Sequence, residues 1–182
     1  MFSHLTFLSR KRQSVRSYST DPIKPEVLQD ILESGLRAPT SKNSHSTRFV
    51  VVEDKAMLQA LSECKEHGSQ FLAGASVGIV VCSDSTKSKR PYTDCAIAAS
   101  YLQLAVTDND LGSCWCHVED SPCPKGATAE EYVKYKLDLP DSYKVLCIVA
   151  IGEVSEGDML KPRETDVEWE RVFIGGYEER GK

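Results

Sequence analysis

The sequence predicts one folded domain in which helices and strands alternate. Its 182 residues suit a single domain with a sizeable core better than two independent ones. Segments with helical spacing of apolar residues alternate with short β-branched runs, and neither an internal repeat nor a convincing linker separates them. We therefore expect residues 1–182 to fold together.

The individual elements can be predicted in order along the chain. A short N-terminal helix is followed by a second one in KPEVLQDILESGLRAP, where five apolar residues share a face: Val27, Leu28, Ile31, Leu32 and Leu36. Four β-branched or apolar runs predict strands: RFVVVED, SVGIVVCS, GSCWCHV and KVLCIVAIGE. Further helices are expected at roughly 55–65, 94–108 and 129–138. The middle one is apolar or small nearly all round, which predicts a central, buried helix.

Composition excludes some classes of partner. The net charge is −5, from 22 basic and 27 acidic residues, which argues against general affinity for nucleic acid. No apolar run approaches the roughly 20 residues that cross a bilayer. The seven cysteines are an odd number without a secretory signal, so we expect reduced thiols in a cytoplasmic protein.

The N-terminal segment is basic although the whole chain is acidic. Four cations lie within seven positions, and no acidic residue precedes Asp21: the cations are Arg10, Lys11, Arg12 and Arg16. A mitochondrial transit peptide would have a similar composition. We expect Arg10 and Lys11 to end the first helix and to face solvent.

A phosphate-binding wall is one interpretation of RQSVR. Arg12, Ser14 and Arg16 alternate, so in an extended chain their side chains point to one side. Arginine offers a bidentate fork and serine a further donor, which suits a phosphate dianion. A solvated basic strand is the alternative.

Two other polar segments carry weaker signals. In the loop LRAPTSKNSHSTRF, Thr40, Ser41, Asn43 and His45 could bind the edge of a polar heterocycle, although such residues also make ordinary turns. In KPR, Pro162 would stiffen a segment that presents Lys161 and Arg163 on one side, although a surface cluster is also compatible with it.

Other kinds of site have little support. The cysteines and histidines of CWC and CKEH match neither zinc nor iron–sulfur spacings, so we expect no metal site. The chain has no G-x-G-x-x-G and no P-loop, and no pattern specifies a hydrolase.

The order of the motifs is more specific than any one of them. RQSVRSYSTDPI, ILESGLRAPTSKNSHSTRFVVVED, DCAIAASYLQLAVTDNDLGSCW and CIVAIGE followed by LKPRE together resemble the nitroreductase family over about residues 10–165. This resemblance implies an α+β fold with a mainly antiparallel central sheet flanked by helices. It also implies an intertwined homodimer with FMN bound in two shared sites, and about 155–182 as an extended C-terminal arm. The basic motif would then belong to the fold, which weakens the transit-peptide interpretation.

The resemblance also assigns residues to the FMN site. One subunit would hold the phosphate and ring edge with Arg12, Gln13, Ser14 and Arg16, together with Lys161 and Arg163. The second subunit would lay Pro39, Thr40, Ser41, Asn43 and His45 against the ring. The backbone of Cys116, His117 and Val118 would approach flavin N5, and Tyr92 would line the acceptor pocket.

The implied activity is hydride transfer from NAD(P)H through flavin N5 to a nitroaromatic, quinone or similar conjugated acceptor, by a ping-pong mechanism. No side chain is expected to act as a dedicated acid or base. The chain departs from the family at Gln13, His45, Ser46 and Thr47. The glycines that are usual after GSCW are replaced by CHVED, which places Glu119 and Asp120 nearby. These two acids would repel anionic acceptors or a phosphorylated nicotinamide.

Two alternatives belong to other functional classes. One is a flavin-binding or flavin-sensing module of the same fold without turnover. The other is a thiol-redox or metal-binding protein built on Cys114, Cys116 and Cys123.

Overall fold

The computed structural model describes residues 3–125, 128–155, 162–163 and 167–176. Within them, four strands form one sheet in the order β1-β2-β4-β3, and every neighbouring pair is antiparallel. The strands are β1 (Thr47–Val52), β2 (Val77–Asp84), β3 (Gly112–His117) and β4 (Tyr143–Gly152). The predicted α+β fold with a mainly antiparallel sheet is confirmed.

Five α-helices accompany the sheet in the described part of the chain: α1 (His4–Lys11), α2 (Pro25–Leu36), α3 (Lys55–Ser62), α4 (Pro91–Asp108) and α5 (Ala129–Lys136). α4 begins three residues before the predicted start, because the fixed φ of Pro91 suits the first helical position. α5 begins with a capping box between Thr128 and Glu131. None of the described helices is long and apolar enough to cross a membrane.

Apolar cores cover both faces of the sheet. Val80 and Ile148 belong to the core shared with α3 and α5, whereas Ile79 and Val149 belong to the core shared with α2 and α4. The central strands β2 and β4 are therefore buried on both sides, which explains their unbroken apolar runs. In the second core, a Cβ on Gly35 would lie 2.6 Å from Leu102 Cδ2, so α2 and α4 approach closely.

The strand register defines two ends of the sheet. At the glycine end, Gly112 of β3 pairs with Gly152 of β4. At the threonine end, Thr47 of β1 pairs with Ser83 of β2, which pairs with Lys144 of β4. The polar segments singled out in the sequence lie at these two different ends.

Candidate functional site

The basic N-terminal segment is fixed in extended form at the glycine end. The Val15 amide donates to the Ser113 carbonyl oxygen at 2.9 Å, and the buried Val15 side chain packs on Gly112, where a Cβ would lie 2.9 Å from Val15 Cβ. Tyr18 covers Gly152 in the same way, and its hydroxyl donates to the Val15 carbonyl oxygen at 2.5 Å. Since the Val15 side chain points into the core, the side chains of Ser14 and Arg16 on either side of it point away from the core.

The three alternating polar residues converge on one buried thiol. Burial raises the pKa of Cys114, which is 1% exposed, while Arg16, a hydrogen bond with Ser14, and Arg12 oppose that rise. The guanidinium carbon of Arg16 also lies 6.0 Å from the centre of the Phe71 ring. Two arginines and a serine of RQSVR thus all act on the Cys114 thiol of β3.

Arg163 brings a third guanidinium to this cluster. Its amide donates to the Arg10 carbonyl oxygen at 3.0 Å, and its Nη2 donates to the Arg12 carbonyl oxygen at 3.1 Å. Burial, and then the positive charge of Arg163, lowers the pKa of Arg12. Gln13 is half-buried beside them, whereas Lys161 lies outside the described residues. We call Arg12, Ser14, Arg16 and Arg163 the cationic cluster.

The expectation that Lys11 faces solvent is wrong. Its side chain is only 14% exposed, and its ammonium group pairs with the Asp110 carboxylate. Lys11 is the last residue of α1 and Asp110 follows the C-terminus of α4, so this ion pair joins the two helix ends. Lys11 therefore contributes to the packing of α1 and is not available to the cationic cluster.

The second predicted segment is a strained polar loop at the threonine end. We call Thr40–Ser46 the polar loop. Lys42, Asn43 and His45 have positive φ angles of 53°, 54° and 47°, a region that costs free energy for residues other than glycine. The His45 amide donates to Thr40 Oγ1 at 3.0 Å, and Arg48 donates to the His45 carbonyl oxygen at 2.7 Å. The side chains of Asn43 and His45 are exposed, as is Pro39 just before the loop.

The cationic cluster and the polar loop are far apart within one chain. Across the sheet, the cationic cluster lies in register with Val77 of β2. The polar loop leads into β1 in register with Ser83, which is six residues further along β2. That is about 20 Å along the strands, with about 14 Å more across three strand spacings. One chain therefore brings the predicted phosphate residues together but does not bring the predicted loop to them.

The segment predicted to approach flavin N5 continues from the cationic cluster along β3. Val118 lies four residues, about 13 Å, beyond Cys114. The amides of Val118 and Glu119 both donate to the Leu146 carbonyl oxygen, at 2.8 and 3.1 Å. Cys116 and Val118 are buried, whereas the His117 side chain is exposed. The His117 imidazole is thus the exposed functional group of this segment.

Tyr92 lies in the first turn of α4 among acidic residues. Its hydroxyl donates to Glu130 Oε2 at 3.0 Å, and Glu130 Oε1 accepts from the Val145 amide at 2.9 Å. Burial raises the pKa of Tyr92, and Glu130, Glu119 and Asp120 raise it further. The negative charges of the two acids at the departure from the family pattern therefore act on Tyr92, the residue predicted to line the acceptor pocket.

The structure adds residues that the sequence patterns did not assign to the flavin site. Cys114 lies under the cationic cluster, Phe71 lies beside Arg16, and Asp94 lies buried under the polar loop. The one usable signal was that Asp94 is the only charged residue from Pro91 to Val106, in an otherwise apolar or small-residue helix. All seven cysteines are free and buried, and the described residues contain no group of ligands that could hold a metal ion.

The chain is similar to a known protein family and to known relatives. The nitroreductase family model matches residues 9–67 and 56–153. A candidate NADH dehydrogenase/NAD(P)H nitroreductase of Archaeoglobus fulgidus is 34% identical over 145 residues, which are 78% of this chain and 80% of that protein.

Solved structures give the same result. The FMN-dependent nitroreductase of Clostridium difficile R20291 superposes with a TM-score of 0.89 at 34% identity, over 94% of this chain and 99% of that one. A nitroreductase of Bacteroides fragilis NCTC 9343, solved with bound FMN, has a TM-score of 0.74 at 25% identity, over 95% and 99%. Since these matches span nearly all of both chains, the predicted family is confirmed: the chain belongs to the nitroreductase family.

Proposed function

We propose that this chain is an FMN-dependent oxidoreductase that takes hydride from NAD(P)H and delivers electrons to a small conjugated acceptor, such as a nitroaromatic or a quinone. Membership of the nitroreductase family supports the reaction class. The similar Bacteroides fragilis structure with bound FMN supports the cofactor. The ping-pong order, in which NAD(P)H leaves before the acceptor binds, is part of the proposal.

The observation that carries the proposal is the convergence of the cationic cluster. Arg12, Ser14, Arg16 and Arg163 present positive charge and fork-shaped donors around one point, which is the donor chemistry that a phosphate dianion needs. Charged hydrogen bonds of this kind contribute about 1.5–3 kcal/mol each. Three of them, with burial of the ring, are compatible with nanomolar to micromolar FMN binding after the costs of association.

The ring would lie along β3, beside Cys116–Val118, when the phosphate lies at the cationic cluster. The separation of about 13 Å between Cys114 and Val118 suits the distance from phosphate to ring in one flavin. The polar loop of the same chain is too distant, since its separation from the cluster exceeds the length of an extended FMN molecule. The polar loop that covers the ring would therefore come from a second subunit.

Uncovered apolar surface supports the homodimer. Trp169 and Ile174 in the C-terminal segment are 72% and 95% exposed, and Leu36 of α2 is 65% exposed. A groove of about 370 Å³ between α1, α2 and α4 is also lined mainly by apolar residues, including Leu5 and Tyr101. A second copy that covers these surfaces would bury the arm and complete both flavin sites.

When bound, FMN supplies a hydride acceptor and donor at N5. The chain supplies position and electrostatics: the cationic cluster holds the phosphate, and the polar loop covers the ring. The hydroxyl of Tyr92 would line the space for the acceptor. No side chain is assigned a proton-transfer role.

The test begins with the purified protein incubated with FMN and freed of unbound flavin by gel filtration. We expect a yellow protein with the visible spectrum of bound flavin, which oxidises NADH or NADPH when a quinone is added. A colourless protein that does not take up FMN would overturn the proposal. Bound FMN without NAD(P)H oxidation would instead favour a flavin-binding module.

A further inference from the structure

A buried carboxylate lies directly under the polar loop. Asp94 in the first turn of α4 is 1% exposed. Its Oδ1 accepts a hydrogen bond from the Ser41 amide at 2.7 Å. Its Oδ2 accepts from Ser46 Oγ at 3.2 Å and from Ser88 Oγ at 2.6 Å. A carboxylate accepts but does not donate, so all three contacts suit its ionised form.

These contacts hold both ends of the polar loop to one helix. Ser41 is near the beginning of the loop and Ser46 is its last residue. Ser46 is fully buried, its hydroxyl also accepts from Ser83 Oγ at 2.9 Å, and its carbonyl oxygen accepts from the Asp84 amide at 3.0 Å. The carboxylate thus joins α4, the polar loop and β2 in one hydrogen-bond network.

The backbone between these two ends needs such a constraint. Lys42, Asn43 and His45 all have positive φ, although none of them is glycine. Strained conformations of this kind persist where the surroundings determine them. The Asp94 contacts fix the backbone on either side of the strained residues, whose side chains remain exposed.

We propose that Asp94 is the positioning residue that fixes the polar loop in the shape required to cover the flavin ring. This inference rests on the proposed function. Because the ring would be held by the cationic cluster of the other subunit, Asp94 would act across the dimer interface. Asp94 of one subunit would thus shape the surroundings of a flavin ring whose phosphate is bound by the other subunit.

The first test needs no flavin. In Asp94→Asn, an amide replaces one acceptor oxygen and presents N–H groups to hydroxyls that now donate to it. We expect hydrogen exchange in residues 41–46 of the apo protein to accelerate about tenfold, which corresponds to about 1.4 kcal/mol of lost local stability. Ser88→Ala is the matched control, because it removes a contact to the same carboxylate from outside the loop. It should leave exchange in the loop within about twofold.

The second test uses the holoprotein. Asp94→Asn should weaken FMN binding about tenfold and change the visible absorption spectrum and midpoint potential of the flavin that remains bound. A purely structural role would lower thermal stability without changing that spectrum. Ser88→Ala should keep the unsubstituted spectrum and affinity. Of the hydrogen bonds to Asp94, Ser46→Ala removes only the one from Ser46 Oγ, so it should show the same effects more weakly. It replaces Asp94→Asn in the test if that variant does not fold.

The outcomes separate this inference from the proposed function. If the unsubstituted protein binds no FMN, the proposed function fails and this inference fails with it. If it binds FMN, and Asp94→Asn changes neither loop exchange nor the flavin spectrum, only the inference is overturned. Loop exchange that rises together with a changed spectrum supports it.

Discussion

Arg163 donates a hydrogen bond from Nη2 to the carbonyl oxygen of Arg12 at 3.1 Å, which joins two arginines 151 positions apart. Burial, and then the charge of Arg163, lowers the pKa of Arg12. Arg12 is partly buried and Arg163 adds a second positive charge near it, so a bound anion would relieve an unfavourable interaction between like charges. The cluster is therefore prepared for an anion before one arrives.

Loss of Arg16 should weaken FMN binding strongly. In Arg16→Ala a charged hydrogen bond to phosphate, worth about 1.5–3 kcal/mol, is removed, so the dissociation constant should rise about 10- to 150-fold. Quenching of flavin fluorescence measures it. Arg10→Ala is the control, because the contact from Arg163 is to the Arg10 backbone, which alanine retains. Equal weakening in both variants would mean that only general positive charge matters.

Arg163→Lys tests whether fork geometry matters beyond charge. Lysine retains the positive charge, but it cannot donate to the Arg12 carbonyl oxygen and to phosphate in the same planar arrangement. We expect affinity for FMN between those of the unsubstituted protein and Arg163→Ala, as measured by titration calorimetry. If Arg163→Lys binds FMN as tightly as the unsubstituted protein, the positive charge alone is sufficient.

Acidic residues near Tyr92 should discriminate between nicotinamide cofactors. Glu119 and Asp120 both raise the pKa of Tyr92, so their negative charges lie near the proposed acceptor space. The double variant Glu119→Gln/Asp120→Asn should raise kcat/KM for NADPH relative to NADH about three- to tenfold, because repulsion of the additional phosphate is removed. Steady-state assays at low and high salt measure the ratio.

A matched change checks that this effect is local. Glu26→Gln removes an exposed negative charge in the first turn of α2 and should leave the ratio unchanged. An unchanged ratio in the double variant, at low salt as well, would mean that these acids do not face the nicotinamide.

Trp169 should contribute to the dimer. Its side chain is 72% exposed in the single chain, and a large aromatic residue buried at an interface often contributes 2 kcal/mol or more, about 30-fold in the dimer dissociation constant. Trp169→Ser should therefore shift the monomer–dimer equilibrium in analytical ultracentrifugation. Tyr135→Ser, at an 82% exposed position on α5, is the control. A monomeric unsubstituted protein with normal FMN binding would contradict the shared-site proposal.

The strands of the sheet could be predicted because the residues that indicate each strand are adjacent in the sequence. β2 and β4 are buried on both faces, and a continuous apolar run indicates this directly. The alternation of Arg12, Ser14 and Arg16 is local information of the same kind, and in the folded chain all three residues act on the Cys114 thiol.

Contacts between distant residues could not be predicted in this way. Lys11 is mostly covered and pairs with Asp110, and Arg16 lies beside Phe71. Asp94 contacts Ser41, 53 positions earlier in the chain. Each depends on how elements pack after folding, which neither periodicity nor composition records.

Mixed dimers test directly whether the site is shared. Asn43 has a φ of 54°, which glycine adopts freely, so Asn43→Gly removes the side chain without straining the polar loop. Arg16→Ala damages the cationic cluster instead. In a dimer of one Arg16→Ala chain and one Asn43→Gly chain, a shared architecture places both defects in one site and none in the other.

Differently tagged chains, co-expressed and purified in two affinity steps, should therefore bind one FMN per dimer with unsubstituted affinity. Each variant homodimer should have two weakened sites. A mixed dimer in which both sites are weakened, and neither has the unsubstituted affinity, would place the cluster and the loop around the same flavin within one chain.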